Sequence, residues 1–122
     1  MVLETFRGTW RPGAAEVTYT PDEVLRLLID DGRSPAERRR AAVVRACAAC
    51  LAEWSARLDH RTAHRLGERL VSRLPSVVAW YSSGVPIPEI GRRVGHFGGT
   101  WEIDQALRAA ATCIAAQLNS LR

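Results

Sequence analysis

Lysine is missing from this chain: all 17 of its basic residues are arginine. With alanine also abundant, that points to a GC-rich coding genome of the bacterial, actinobacterial kind. An arginine here is therefore no automatic sign of guanidinium chemistry, because such a genome supplies arginine everywhere. A disulfide framework is not expected, since the three cysteines, Cys47, Cys50 and Cys113, are an odd number and fall within helical patterns. No apolar run approaches the roughly 18 residues that a bilayer span requires. Residues 1–11 set Glu4, Thr5 and Arg7 close together, which does not fit a secretory leader. These absences lead to the expectation of a cytoplasmic protein with no membrane partner.

Catalytic signatures are absent too. The chain holds no Gly-x-Ser-x-Gly elbow and no His-Glu-x-x-His. The glycines between Gly95 and Thr100 suggest an anion cradle at a helix start, but no Walker lysine follows them. A cysteine nucleophile wants a basic, accessible setting, whereas all three cysteines are expected to be buried. The reading is of a protein that is not an enzyme and carries no cofactor. Internal repeats and low-complexity linkers are also lacking.

What remains is an ordinary globular composition. The 122 residues are 47% hydrophobic and 25% charged, enough for one domain with its own core. The charge is uneven. Residues 1–32 carry three Arg against six acids, residues 33–95 carry twelve against five, and residues 96–122 carry two of each. The positive field therefore sits in the middle of the chain, where an anionic partner would feel it.

Residues 1–20 are rich in Val, Thr, Trp and Tyr around Arg11-Pro12-Gly13, which suits a short hairpin or an extended arm. Residues 21–122 read as a helical domain. Thr20-Pro21-Asp22-Glu23 and Ser34-Pro35-Ala36-Glu37 are two helix starts, each with a capping hydroxyl, proline at the first position and glutamate at the third. The second helix is expected to run to about Leu58 on a stripe of Val43, Cys47, Cys50, Trp54 and Leu58, with Val44 and Leu51 alongside. Asp59 caps a third helix that Pro75 interrupts, and Val77 to Tyr81 form a fourth ended by Gly84. A short helix follows Pro86 and Pro88. Thr100 caps the last, whose face is Ile103, Leu107, Ala110, Ile114, Leu118 and Leu121. The fold class is all-α: a compact bundle of five to six helices with a short N-terminal hairpin or extended arm. Trp54, Trp80 and Trp101 are all expected to pack in the core.

Residues 86–108 carry the most specific pattern. Pro88-Glu89-Ile90-Gly91-Arg92-Arg93-Val94-Gly95, then a turn and Thr100-Trp101-Glu102-Ile103, resembles the helix-turn-helix of bacterial regulators. Ile90, Gly91, Val94 and Gly95 match its first half. The turn is about two residues longer than that motif's, and Glu102 and Asp104 place acids where a phosphate backbone would pass. The resemblance implies DNA binding, with Arg92, Arg93 and Thr100 at the duplex and Gln105 and Arg108 at base edges.

Two further constellations stand beside it. Arg57, Arg61, Arg65, Arg69 and Arg73 recur every fourth residue, and the last four are expected to form one basic stripe. Arg61, Arg65 and Arg69 are its candidate phosphate contacts, and a solvated face is the plainer reading. Cys47, Cys50, His60 and His64 are ligand types for zinc, but nine residues separate Cys50 from His60 and both cysteines follow the apolar stripe. No metal is expected there. Two partners remain open: DNA, bound by a small regulatory protein, or an acidic protein. In the second case the chain is a helical interaction module that self-associates, as a homodimer, through its final helix.

Overall fold

The computed structural model describes residues 18–30, 32–95 and 100–120, and the side chains of all of these except Trp54 and Ser55. The expected hairpin or arm up to residue 17, the turn at 96–99, Leu121 and the packing of Trp54 lie outside that description. Among the described residues there are seven α-helices and no strand: α1 (Pro21–Ile29), α2 (Pro35–Ala48), α3 (Leu51–Trp54), α4 (His60–Leu66), α5 (Glu68–Ser82), α6 (Ile87–Arg93) and α7 (Thr100–Ser120). A turn of 3-10 helix, Ser55–Arg57, joins α3 to the loop before α4. No described helix is long and apolar enough to cross a membrane.

The helix starts follow the sequence signals. Thr20 Oγ1 accepts from the Glu23 N–H at 3.1 Å, and Ser34 Oγ accepts from the Glu37 N–H at 3.1 Å. Each satisfies one of the orphan donors of a first helical turn. Asp59 caps α4 with both carboxylate oxygens, accepting from the Thr62 N–H and from its hydroxyl, each at 2.8 Å.

The number and limits of the helices differ from the expectation. The second expected helix breaks after Ala48, because Ala49 and Cys50 turn the chain into α3. The buried face also lies one residue away from the expected stripe. Val44 and Leu51 are buried, while Val43 is 44% exposed. Cys50 is exposed, and Cys47 and Cys113 are half-buried. The third expected helix ends earlier, at Gly67, whose φ of 90° and ψ of 153° belong to a region open only to glycine. Pro75 interrupts nothing: it lies inside α5, which continues to Ser82.

Helix α7 is the hub, and every other helix packs against it. Nine of its residues are buried, and five of those are alanine: Ala106, Ala109, Ala110, Ala111 and Ala115. Small side chains let neighbours approach closely on several sides at once, while Ile103, Leu107, Ile114 and Leu118 fill the spaces between them. Around them close Val24, Leu27 and Leu28 from α1, Val44 from α2, Leu70, Leu74, Val77 and Val78 from α5, and Ile90 from α6. The apolar stripe on α7 is thus spent inside the chain's own core.

Candidate nucleic-acid interface

Helix α6 is held from below by its apolar side. Ile90 and Gly91 are buried, and Val94 follows them into the core. That leaves Glu89, Arg92 and Arg93 on the outer side. Glu89 holds both arginines: its Oε1 accepts from Arg92 Nε at 2.9 Å and Nη2 at 2.6 Å, and its Oε2 accepts from Arg93 Nε at 3.3 Å. Hydrogen bonds from Arg92, then Arg93, keep the Glu89 carboxyl below its ordinary range. Such exposed pairs add little stability. Their effect is to fix where the guanidiniums stand.

Two arginines from α5 meet this group. The Arg73 guanidinium lies 5.7 Å from the Trp80 ring centre, and the Arg93 guanidinium lies 5.4 Å from the same centre. Arg69 Nη1 donates to the Gly95 carbonyl at 3.4 Å. Trp80 is half-buried rather than a core residue, and serves as the platform on which the α5 and α6 arginines gather. Arg69, Arg73, Arg92 and Arg93 thus come together across two helices. Among the ion pairs of the described residues, Glu89 is the one carboxylate that engages them.

The start of α7 lies beyond this cluster. Thr100 is exposed and is the first helical residue rather than its cap. Trp101 is 61% exposed, against the expectation of core packing. The reason is angular: it stands two residues from the fully buried Ile103, about 200° around the helix. The acids expected to oppose phosphate are partly turned away. Glu102 is half-buried with Oε1 shielded from solvent, and Asp104 Oδ2 lies 3.5 Å from Arg108 Nε.

Gln105 and Arg108 are not among the contacts of the Trp80 and Glu89 groups. Both line a groove of about 410 Å³ between α4 and α7, together with Arg57 and Arg65. Arg108 also reaches Asp22 Oδ1 of α1 at 3.2 Å. The expected single basic stripe is therefore divided at Gly67. Arg61 and Arg65 are exposed on α4, with Arg65 facing the groove, while on α5 Arg69 reaches the Gly95 carbonyl and Arg73 lies over Trp80.

No group of three or more His, Cys, Asp or Glu gathers among the described residues. His60 and His64 are exposed on α4. Burial, and then the neighbouring Cys50, raises the Cys47 thiol above its ordinary range. Burial likewise raises Cys113, with Arg57 opposing. Sequence reasoning missed Arg73 and Trp80 as parts of the site. Their spacing of seven residues puts them on one face of α5, a signal that was present, whereas the arrival of Arg93 from α6 is a tertiary fact. No protein-family model, curated protein or solved structure matches this chain.

Proposed function

We propose that the chain is a small regulatory protein that binds duplex DNA, with the arginine face of α5 and α6 as its phosphate-contacting surface. The observation that carries this is the convergence of Arg73 and Arg93 on one Trp80 ring, with Arg92 tied to Arg93 through Glu89 and Arg69 on the Gly95 carbonyl. Like charges brought together on a surface repel. A row of phosphates relieves that repulsion and releases counterions as it binds. The position of the cluster adds support, because Gly95 ends the first half of the motif in residues 86–108 that resembles a helix-turn-helix. In such motifs the turn and the next helix start lie against the duplex.

In this reading Arg69, Arg73, Arg92 and Arg93 position the backbone, and Thr100 and the exposed Trp101 present the start of α7. Gln105 and Arg108, directed at the α4–α7 groove, are not its base-reading pair. Binding therefore rests on phosphate contact, and sequence preference is weak. The rival reading, self-association through α7, has less to work with, because Ile103, Leu107, Ile114 and Leu118 are buried within one chain. Fluorescence anisotropy with a labelled random-sequence duplex, beside polyglutamate as a model acidic protein, tests the proposal. The duplex should bind tightly at low salt and the polyglutamate far more weakly. The reverse order would favour an acidic protein partner.

A further inference from the structure

We propose that the groove between α4 and α7 binds a small organic anion, a carboxylate head on an apolar tail. The inference stands on a surface separate from the arginine cluster and does not depend on DNA binding. The groove, about 410 Å³, lies within the range of roughly 300–1,000 Å³ usual for small-molecule sites. Its apolar lining is Leu58, Ala109, Cys113 and Ala116. Its cationic groups come from three separate elements: Arg57 from the 3-10 turn, Arg65 from α4 and Arg108 from α7.

The guanidiniums on its wall are unevenly paired. Arg108 is shared between Asp22 and Asp104, so its charge is answered. Arg57 donates to Gln117 Oε1 at 3.2 Å, a neutral amide. Arg65 has no hydrogen bond or ion pair among the described residues. Asp59, the one carboxylate lining the groove, accepts from Thr62 through both oxygens and meets Arg65 only through space, as one of the charges that hold its carboxyl below the ordinary range. Arg57, without a carboxylate, and Arg65, without a hydrogen-bonded one, therefore flank an apolar floor.

That combination selects its occupant. A neutral apolar molecule would cover the arginine heads and leave them unmet, at a cost in desolvation. A bare inorganic anion would leave the apolar floor wet and gain nothing from it. A planar carboxylate matches the guanidinium fork with two parallel hydrogen bonds, and an apolar tail covers Ala109, Cys113 and Ala116. A duplex does not enter a groove of this volume.

Octanoate is a direct probe, read by amide chemical shifts and by calorimetry on the full chain. Saturable binding is expected, with shifts centred on Thr62, Arg65, Ala109 and Cys113. Octanamide, the neutral analogue, should bind about tenfold more weakly, the value of one charge-assisted hydrogen bond. Octyl phosphate should bind more weakly than octanoate, and inorganic phosphate should not compete. Arg65→Gln, at an exposed position, should reduce affinity for octanoate by a similar factor and leave octanamide unaffected. Ala116→Trp, also at an exposed position, should fill the groove and abolish both, while Arg38→Gln on α2 changes nothing. Equal binding of octanoate and octanamide, tighter binding of octyl phosphate, competition by inorganic phosphate, or shifts centred away from the groove would each overturn the proposal. So would the absence of saturable octanoate binding.

Discussion

Tyr19 and Asn119 stand 100 residues apart in sequence and exchange two hydrogen bonds. The Tyr19 N–H donates to Asn119 Oδ1 at 2.8 Å, and Asn119 Nδ2 donates back to the Tyr19 carbonyl at 3.0 Å. One amide side chain thus replaces a strand partner for the backbone just before α1, and ties it to the last turn of α7. The Arg40 guanidinium, 4.2 Å from the Tyr19 ring centre, covers the other side. Asn119→Ala leaves a partly buried N–H and C=O without that partner. It should cost about 1–3 kcal/mol and lower the melting temperature by several degrees. An unchanged melting curve would mean that water replaces the amide without loss.

Gly67 separates α4 from α5 in a conformation that excludes a β-carbon by backbone strain alone. A β-carbon there would meet nothing within 4 Å. Gly67→Ala should therefore destabilise by about 1–3 kcal/mol without any steric clash. Gly67→Asn should cost as much, because its ψ of 153° is far from the left-handed region that asparagine tolerates. Denaturant unfolding of both variants checks this, and recovery of stability by asparagine would contradict it.

Acid should act on the start of α4. The backbone hydrogen bond from Thr62, then the one from its hydroxyl, holds the Asp59 carboxyl below its ordinary range. A depressed folded-state value means stability that is present above the ordinary carboxylate range and lost as pH falls through the folded value. Asp59→Asn keeps a capping oxygen but cannot titrate. Its melting temperature should fall less steeply than the wild type's between about pH 5 and pH 2. Parallel curves would show that Asp59 contributes nothing to the acid response.

The three thiols should react in order of exposure. Cys50 is exposed, whereas Cys47 and Cys113 are half-buried with thiols raised by that burial. Limiting iodoacetamide should modify Cys50 first, and Cys50→Ser should remove the fast phase. Mass spectrometry of digests locates the label. Faster labelling of Cys113 would contradict the order.

Local signals in this sequence were readable, and signals that depend on neighbours were not. The caps at Thr20, Ser34 and Asp59 act within four residues, so their residue types announced them. The face of α7 was also legible, since Ile103, Leu107, Ile114 and Leu118 hold one period through the helix. The stripe of α2 failed because its buried side carries Ala41 and Val44 rather than Val43, a choice between adjacent apolar residues that the neighbouring helices make, and nothing in Ala48-Ala49-Cys50-Leu51 marks a break. Pro75 misled in the opposite direction: packing of Leu74, Val77 and Val78 against the core carries α5 past it. In the candidate site, the arginines were visible as residue types. Their division into a Trp80 cluster and a groove was not, because it depends on which way the chain turns at Gly67.

The salt dependence of duplex binding tests the central claim most directly. Each phosphate contact removed should lower the slope of log K against log salt by about one. Arg73→Gln with Arg93→Gln should therefore lower it by about two and weaken all sequences alike, while Arg38→Gln, on α2, leaves it unchanged. A slope that stays the same in the double variant, or no duplex binding by the wild type at low salt, would contradict DNA contact through the α5–α6 arginine face.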